Sequence, residues 1–413
     1  MRIFSGRAAE ARVRKIAARR SQLDAVEAPV RRIVNDVKRN GDSALRKYAQ
    51  RWDGLAAKGS LRIPEQDLKR AWVSAKSEFK SALKQAAANI RQFSEWQKPK
   101  EWRRQSNGIS LGQLVRSLES VGCYVPGGRY PLVSTLLMTV IPAQVAGVKN
   151  IRIVSPQPRP EVMAAAGMLG IDEFYRVGGA QAIAALAYGT KSIARVDKIV
   201  GPGNSYVTAA KKLVWFDCAI DMLAGPTEVL ILSDDGNPRF IAADLVAQAE
   251  HDPEALAVFV TTSLSLAKDL ASRVKEAAAN NSIAQQSLAS QGAVLIAKSR
   301  EQARDWANQM APEHITVDAG DVPYIQNAGS VFVGDYSPQA AGDYAAGPNH
   351  VLPTASAARF RGGLSVLDFV KLISVQELSS RGLNRIAPIV EQLATTEGLQ
   401  AHAESIRIRS AHA

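Results

Sequence analysis

The feature that most constrains the fold is a regular alternation of short apolar runs with helical segments from about residue 110 onward. Alternation of this kind predicts parallel sheets with helices on both faces, and therefore an α/β fold. The apolar runs fall into two blocks that could be related by duplication. The predicted strands are Ile151–Ser155, Phe174–Val177, Asp197–Gly201 and Cys218–Asp221 in the first block, and Val229–Ser233, Leu256–Thr261, Ala293–Ala297 and Val331–Gly334 in the second.

The segments on either side of this region have helical periodicity. Residues 7–53 and 64–99 are predicted to form long helices, because apolar side chains recur there at three- and four-residue spacing. Residues 366–409 are also predicted to be helical, with interruptions near Gly382 and Gly398. The expected molecule is therefore an α/β body with helical segments at both ends.

Length and composition limit the classes of protein that the chain can represent. A chain of 413 residues is too long for one ordinary core, so two or more domains are expected. Its 46% hydrophobic and 22% charged residues are typical of a soluble globular protein, and no stretch reaches the roughly 20 apolar residues of a membrane span. The N-terminus lacks the apolar segment of a secretory signal, and the only two cysteines, Cys123 and Cys218, fit a reducing cytosol. We therefore expect a cytoplasmic protein, with a disordered polar tail from Ser410.

The net charge of +12 is unevenly distributed along the chain. Residues 1–100 contain 24 Lys and Arg against 10 Asp and Glu, whereas the remaining residues contain 27 against 29. Such asymmetry can mark a nucleic-acid surface, but these basic residues are interspersed with acidic ones and form no recognisable nucleic-acid motif. We therefore favour solvated helical faces, and a non-catalytic nucleic-acid binder stays as an alternative.

Three glycine-bearing segments stand where a predicted strand passes into a helix. Loops after parallel strands commonly bind ligands, and a helix N-terminus offers free N–H groups to a phosphate. None of the three matches the dinucleotide-binding pattern G-x-G-x-x-G, and tight turns alone could explain the glycines. One polar side chain in each loop favours ligand binding. The segments, with that side chain, are Gly122–Arg129 with Tyr124, Gly178–Gln181 with Gln181, and Gly201–Tyr206 with Asn204.

All five histidines lie in the last two-fifths of the chain, and all but His412 lie near a residue that could share their chemistry. Gln248 and His251 close a helix predicted to begin near Pro238, and their i,i+3 spacing places them on one face, where both could bind one metal ion. A histidine nitrogen is a common zinc ligand, and a glutamine oxygen is a poorer one. The same pair is also typical of an ordinary helix C-terminus, where a cationic histidine suits the helix dipole.

Glu313 and His314 form a second candidate group. The preceding Pro312 predicts an irregular backbone, which could let both side chains face one cleft. Two proton acceptors of different affinity suit successive proton removals, so an acid–base pair is one interpretation. A salt-bridged pair on a surface turn is the other.

Two further groups complete the candidates. The glycine-rich loop Gly342–His350 follows a predicted strand, carries Asp343 as a possible carboxylate ligand, and places His350 where it could hydrogen-bond a substrate. Glu397 and His402 would point about 140° apart on a continuous helix. They can therefore share a site only if a helix begins after the glycine that separates them.

Together and in this order, these motifs resemble the histidinol dehydrogenase family. The resemblance extends from roughly residue 25 to residue 409, nearly the whole chain, and eight segments in the same order make it highly specific. The segments are Gly122–Arg129, Gly201–Tyr206, Asp221–Leu230, Ala247–Pro253, Ala311–Ile315, Gly342–Thr354, Ser374–Ser379 and Glu397–Arg407.

The resemblance implies a zinc enzyme that oxidises L-histidinol to L-histidine through L-histidinaldehyde with two NAD+, the last two steps of histidine biosynthesis. The implied ligands of one zinc ion per subunit are Gln248, His251, Asp343 and His402. The implied acid–base pair is Glu313 and His314. The implied substrate contacts are the four zinc ligands, the acid–base pair, and in addition Thr227, His350 and Glu397. The implied NAD contacts are Tyr124, Gln181 and Asn204.

The resemblance also implies an architecture and an assembly. It implies a homodimer in which Glu397 and His402 act in the partner's site. It further implies two incomplete Rossmann-like domains, the first interrupted by the second. The expected boundaries are 1–24 for an N-terminal helical segment, 25–123 with 229–365 for the first domain, 124–228 for the second domain on the NAD side, and 366–413 for a C-terminal helical segment exchanged in the dimer.

Small departures from the family pattern, and the chemistry, shape the remaining expectations. Thr227 stands where serine is usual, and Pro348 stands where threonine is usual, which could shift His350.

We expect His314 to take the alcohol proton and Glu313 to activate the water that adds to the aldehyde. A thiohemiacetal on a cysteine is the chemical alternative, but neither cysteine has a neighbouring His or Lys in the sequence.

The nearest alternative function is a dehydrogenase of the same fold that acts on another polar alcohol, such as a sulfonated diol. An anionic Glu397 in the site suits a cationic amino alcohol better than an anionic substrate. We therefore favour L-histidinol.

Overall fold

The computed structural model describes residues 1–20, 23–127 and 131–410. The helices of these residues are α1 (Gly6–Ala17), α2 (Asp24–Asn40), α3 (Asp42–Trp52), α4 (Glu65–Ser74), α5 (Ser77–Gln97), α6 (Val133–Ala146), α7 (Pro160–Met168), α8 (Gly179–Tyr188), α9 (Ser205–Val214), α10 (Pro238–Ala249), α11 (Leu264–Ala277), α12 (Ser282–Ser290), α13 (Arg300–Met310), α14 (Gln339–Tyr344), α15 (Ser380–Thr396) and α16 (Gln400–Ser410), with 3-10 turns at Ala319–Tyr324, Ala357–Arg359 and Val366–Phe369.

The strands of the described residues form three sheets. They are β1 (Arg2–Ser5), β2 (Arg62–Ile63), β3 (Trp102–Ser106), β4 (Ile109–Ser117), β5 (Ser120–Tyr124), β6 (Asn150–Val154), β7 (Glu173–Tyr175), β8 (Lys198–Val200), β9 (Ala219–Ile220), β10 (Glu228–Leu232), β11 (Leu256–Thr261), β12 (Ala293–Ile296), β13 (His314–Val317), β14 (Ser330–Val333) and β15 (Val370–Leu378).

Sheet A is parallel throughout, with strand order β1-β12-β11-β10-β13-β14. Its central strands β10 and β11 are buried at every residue. This burial explains their continuous apolar runs, because a parallel sheet covered on both faces has no solvent side. Helices α1 and α13 pack on one face, and helices α10, α11 and α12 pack on the other.

Sheet B has strand order β2-β7-β6-β5-β8-β9 and is parallel except for the antiparallel pair β2–β7. Helices α2, α3, α8 and α9 cover one face, and helices α4 to α7 cover the other. The eight predicted strands are all present, with ends displaced by at most two residues. The α/β fold class is therefore confirmed, whereas the domain boundaries stay a prediction.

The candidate residues lie at the carboxyl ends of the strands in sheet B and at the amino ends of the strands in sheet A. The three glycine-bearing loops follow β5, β7 and β8, so they lie at the carboxyl edge of sheet B. Thr227 and Glu313 instead precede β10 and β13, at the amino edge of sheet A. A short connection, residues 221–227, leads directly from β9 in sheet B to β10 in sheet A.

Sheet C corrects the sequence prediction for the C-terminal segment. It is antiparallel, with strand order β15-β4-β3, and its longest strand pair joins Val370–Leu378 to Ile109–Ser117. The prediction of helix over 366–409 is therefore wrong for residues 370–378. The partner strand lies more than 250 residues away in the sequence, so the pairing leaves no trace in local periodicity.

The predicted long helices are also interrupted. Residues 7–53 form three helices, with Gly41 at φ +51° between α2 and α3. Residues 64–99 form two helices, because Ala75 adopts extended backbone. Helix α16 includes Ser410, so the prediction of a disordered tail is wrong for that residue. The remaining tail, residues 411–413, lies outside the described residues.

In the part of the chain that the structure describes, no helix is long and apolar enough to cross a membrane.

Candidate active site

Glu313 lies at the entry to β13, just after Ala311, which adopts a left-handed conformation (φ +46°). This irregular backbone brings Glu313 and His314 together against the backbone of Glu228 at the amino end of β10. The Oε2 atom of Glu313 accepts hydrogen bonds from the Thr227 hydroxyl (2.6 Å) and from the Glu228 N–H (2.8 Å). One carboxylate oxygen is therefore fixed, which leaves Oε1 as the end available to a ligand.

The His314 ring is buried, and the backbone sets its tautomer. Its Nδ1 lies 3.0 Å from the carbonyl oxygen of Glu228, which can only accept, so Nδ1 carries the proton. The Nε2 atom of the neutral ring therefore presents a lone pair. It lies 3.4 Å from Asp343 Oδ1 and, among the described residues, is a buried atom without a hydrogen-bond partner. An unpartnered acceptor in a buried site has the position that a general base requires.

The charges of these groups are strongly coupled. Burial raises the pKa of Glu313 to about 7. Burial acts to lower the pKa of His314, but the carboxylates of Glu313 and Asp343 outweigh it and raise that pKa to about 9. Burial acts to raise the pKa of Asp343, but the nearby His314 ring outweighs it and holds that pKa below its usual range. With a pKa of about 9, the His314 ring is mainly protonated near neutral pH, so Nε2 accepts a proton only in the fraction of rings that are neutral. Glu313, with a pKa near neutrality, can both accept and release a proton.

His350 is held by the same kind of backbone contact. Its Nδ1 lies 2.9 Å from the carbonyl oxygen of Asp343, and its Nε2 lies 3.3 Å from Thr135 Oγ1. Asp343 belongs to α14, so the segment predicted as a loop is helical up to Tyr344. Both nitrogens of His350 are anchored even though Pro348 precedes it in the connection. Burial lowers the pKa of His350, which favours the neutral ring.

Gln248 and His251 lie at the end of α10, which begins at the predicted residue and ends one residue after Gln248. Gln248 is buried and donates through Nε2 to the Thr227 hydroxyl. His251 is exposed, and its Nδ1 lies 3.0 Å from the carbonyl oxygen of Ala247, so its Nε2 also presents a lone pair. The charge of His251 acts to lower the pKa of Asp343, so the two side chains are close enough to interact electrostatically.

Three of these side chains offer a mixed set of metal donors. The amide oxygen of Gln248, the imidazole of His251 and the carboxylate of Asp343 are donor types that zinc accepts. Within the described residues, no group of three or more His, Cys, Asp or Glu side chains could hold a metal ion by itself. We use the name histidine cluster for Thr227, Gln248, His251, Glu313, His314, Asp343 and His350.

Comparison with known proteins identifies the family. The family model for histidinol dehydrogenase matches residues 16–410. The chain belongs to the histidinol dehydrogenase family. The histidinol dehydrogenase of Bacillus cereus is 44% identical over 399 residues, which cover 94% of this chain and 93% of that protein. The histidinol dehydrogenase of Methanothermobacter thermautotrophicus is 46% identical over 409 residues, which cover 94% and 95%.

A solved member of the family has the same fold. The crystal structure of histidinol dehydrogenase from Elizabethkingia anophelis matches with a TM-score of 0.94 at 35% identity, covering 99% of this chain and 98% of that chain. The predicted family, the enzyme class and the α/β fold are therefore confirmed.

The two C-terminal residues that the family resemblance assigns to the site lie outside the histidine cluster. Glu397 ends α15, Gly398 adopts φ +77°, and α16 begins at Gln400, so the predicted helix start after the glycine is confirmed. Glu397 and His402 are both exposed. Among the described residues, no hydrogen bond or ion pair joins either side chain to the histidine cluster. One chain alone does not bring them into the site.

The residues that the family resemblance assigns to NAD lie at the carboxyl edge of sheet B, and each has a partner within the chain. Tyr124 Oη accepts from the Gly179 N–H (3.1 Å), and the buried Gln181 donates to Asp53 (3.1 Å). Asn204 caps α9 by accepting from two N–H groups of its first turn. The end of the first glycine-bearing loop, residues 128–129, lies outside the described residues.

The sequence analysis missed an ion pair beneath the site. Glu228 is buried and accepts from the backbone N–H groups of Glu313 (3.2 Å) and Ala355 (2.8 Å), and it pairs with Arg19. An acidic residue at the start of an otherwise apolar strand is a sequence signal that could have found Glu228. Arg19 and Asp53 lie in no motif and gave no such signal.

Both cysteines are buried outside the histidine cluster. Burial raises the pKa of Cys123 and the pKa of Cys218 to about 12. Because the thiolate is the nucleophilic form, these thiols are poorly suited to covalent catalysis.

Proposed function

We propose that this enzyme oxidises L-histidinol to L-histidine through L-histidinaldehyde, with NAD+ as the hydride acceptor and one zinc ion per subunit. The observation that carries the proposal is the buried His314 ring, whose Nδ1 is committed to a backbone carbonyl and whose Nε2 is left without a partner next to Asp343. Membership of the histidinol dehydrogenase family supports the choice of substrate.

His314 acts in the first oxidation. The hydroxyl proton of the alcohol passes to Nε2 while the adjacent carbon loses a hydride to NAD+, which gives the aldehyde. A positioned base of this kind contributes roughly 10²–10⁴-fold to the rate. The backbone contact at Nδ1 keeps the ring in the tautomer that can accept at Nε2.

Glu313 acts in the second oxidation. The aldehyde first adds water, and the hydrate then transfers a second hydride to a second NAD+. The carboxylate of Glu313, with a pKa raised by burial to about 7, accepts a proton from that water. The hydrogen bonds from Thr227 and from the Glu228 N–H hold Oε2, so Oε1 is the atom assigned to this transfer.

The side chains of Gln248, His251 and Asp343 fit a zinc ion in donor type, and they would hold it together with His402 of the partner subunit. When bound, zinc would orient the imidazole and amino nitrogens of the substrate as a Lewis acid. The Nδ1 contact of His251 with a backbone carbonyl supports this role, because metal-binding histidines commonly donate their other N–H to such a group.

A homodimer is proposed because Glu397 and His402, which the family resemblance assigns to the site, are exposed outside the histidine cluster of their own chain, and because the C-terminal segment exposes apolar side chains. A large exposed apolar surface marks an interaction site. Glu397 and His402 lie in this same segment, as they must if they act in the partner's site. The exposed apolar residues are Leu372, Ile373 and Leu378 on β15, Ile389 and Leu393 on α15, and Leu399 between the two C-terminal helices.

The division of roles is tested with the two substrates assayed separately. Glu313→Gln should impair oxidation of L-histidinaldehyde more than oxidation of L-histidinol, because only the aldehyde stage needs activated water. His314→Asn should lower kcat for L-histidinol by roughly 10²–10⁴-fold with zinc retained. Glu301→Gln, on the exposed first turn of α13, is the matched control and should leave both rates unchanged.

Two outcomes would contradict these roles. Equal losses at both stages in Glu313→Gln would remove the separate role of Glu313. Loss of zinc in His314→Asn would show that His314 is a metal ligand and not the base.

Substrate choice is tested by NADH formation with L-histidinol against a panel of polar alcohols that includes a sulfonated diol. We expect L-histidinol to be strongly preferred. A preference for the sulfonated diol would replace the proposed substrate while keeping the dehydrogenase chemistry.

A further inference from the structure

Asp53 connects the N-terminal helices to one of the glycine-bearing loops. It follows α3 directly, its side chain is buried, and its Oδ2 reaches the loop between β7 and α8. There Oδ2 accepts hydrogen bonds from the Gly178 N–H (3.0 Å) and from Gln181 Nε2 (3.1 Å). One oxygen of Asp53 therefore holds both the backbone and the side chain of this loop.

These contacts occupy the beginning of helix α8. The N–H groups of Gly178 and Gly179 are bound by Asp53 and by Tyr124 Oη. Free N–H groups at such a position would attract a phosphate group. In this chain, Asp53 Oδ2 and Tyr124 Oη accept from these N–H groups in place of a phosphate.

The same contacts set the orientation of the Gln181 amide. A carboxylate oxygen that accepts from Gly178 can also accept from Gln181 only if the glutamine presents its NH2 group. The carbonyl Oε1 is thus the end left for a ligand. Gly179, at φ +60°, has no side chain above it, and a Cβ there would lie 2.8 Å from Oε1. We call the position where this Cβ would stand, beside the Gln181 carbonyl, the gap over Gly179.

We propose that Asp53 is a positioning residue of the cofactor site. Asp53 turns the Gln181 carbonyl toward the gap over Gly179, and its own carboxylate occupies the position at the start of α8 where a phosphate could bind. The inference rests on the proposed use of NAD+. The site then recognises a hydrogen-bond donor of the dinucleotide, such as a ribose hydroxyl or the carboxamide NH2, and the diphosphate lies elsewhere.

The test compares Asp53→Ala with Asp53→Asn by calorimetric titration with NAD+ and, separately, with L-histidinol. Asp53→Ala removes both hydrogen bonds and should weaken NAD+ binding about tenfold or more, with L-histidinol binding within about threefold of the unmodified protein. Asp53→Asn should stay within about threefold for NAD+, because the amide oxygen can accept both bonds at the position of Oδ2.

Two further variants separate positioning from general destabilisation. Asp42 docks the other end of α3 by accepting from the Ser192 N–H (3.1 Å) and hydroxyl (2.5 Å), away from the glycine-bearing loops. Asp42→Ala should lower the melting temperature without changing the affinity for NAD+. Gln181→Ala should weaken NAD+ binding as Asp53→Ala does, and the double variant should show no further loss.

The outcomes distinguish this inference from the proposed function. If the unmodified protein does not bind NAD+, the proposed function fails. If it binds NAD+ and Asp53→Ala binds equally well, only the role of Asp53 fails. Equal losses in Asp53→Asn and Asp53→Ala, or additive losses in the double variant with Gln181→Ala, would also overturn the positioning role.

Discussion

Replacing Arg19 by methionine should destabilise the protein by roughly 3 kcal/mol. The guanidinium of Arg19 pairs with both oxygens of Glu228, whose side chain is 3% exposed, and it also donates to the carbonyl of Met310 (2.7 Å). Removing one partner of a buried ion pair costs about 3–5 kcal/mol, because the remaining charge is left uncompensated. The low end applies because the Arg19 side chain is 18% exposed and because Glu228 keeps the N–H groups of Glu313 and Ala355.

Urea unfolding followed by tryptophan fluorescence measures this change. Glu228→Gln added to Arg19→Met removes the stranded charge and should recover about 1 kcal/mol or more. Arg31→Met is the matched control, because Arg31 pairs with Glu27 on an exposed helix face and should cost no more than about 0.5 kcal/mol. The reasoning is refuted if Arg19→Met is as stable as the unmodified protein, or if the double variant is less stable than Arg19→Met.

Three further predictions concern the site. Mixing His402→Ala subunits with His314→Asn subunits, each nearly inactive alone, should restore about a quarter of the activity, since random C2 pairing makes half the dimers hybrids with one intact site each. No recovery would contradict a site shared between subunits. Thr227→Val removes the hydroxyl that donates to Glu313 and should lower kcat/KM roughly 10²-fold. Thr227→Ser keeps the hydroxyl and should stay within about threefold. Equal rates for the two variants would rule out a role for the hydroxyl. Cys123→Ala and Cys218→Ala should keep the rate of aldehyde oxidation within about twofold, because burial keeps both thiols protonated. Loss of only the aldehyde stage in either variant would instead support the thiohemiacetal mechanism.

Eight strands of sheets A and B were predicted from apolar runs in the sequence, whereas β1, β2, β5 and β13 were not. The central strands were the most readily predicted, because they are buried on both faces. Leu256–Thr261, for example, is apolar in the sequence and buried along its whole length in the structure. Strand β15 was not predictable, because it is largely exposed without alternation and is stabilised by pairing with a strand far away in the sequence. The break at Ala75 was missed for a related reason, since alanine is a good helix former and no local signal ends the helix there.

The candidate site was only partly accessible to the same reasoning. Spacing placed Gln248 and His251 at one helix end, and the structure has them there. The backbone contacts that fix the Nδ1 atoms of His251, His314 and His350 depend on tertiary structure, so no spacing rule could provide them. In the neutral rings these contacts leave the Nε2 atoms of His251 and His314 as potential acceptors, whereas that of His350 lies 3.3 Å from Thr135 Oγ1. The assignment of Glu397 and His402 to a shared site still depends on a second subunit.

The measurement that tests the central claim most directly is the stoichiometry of NADH formation from a limiting amount of L-histidinol, before and after chelation. The proposed chemistry predicts two NADH per L-histidinol, loss of activity after the chelator removes the metal, and recovery on addition of zinc. One NADH per L-histidinol, or full activity in the chelated protein, would contradict it.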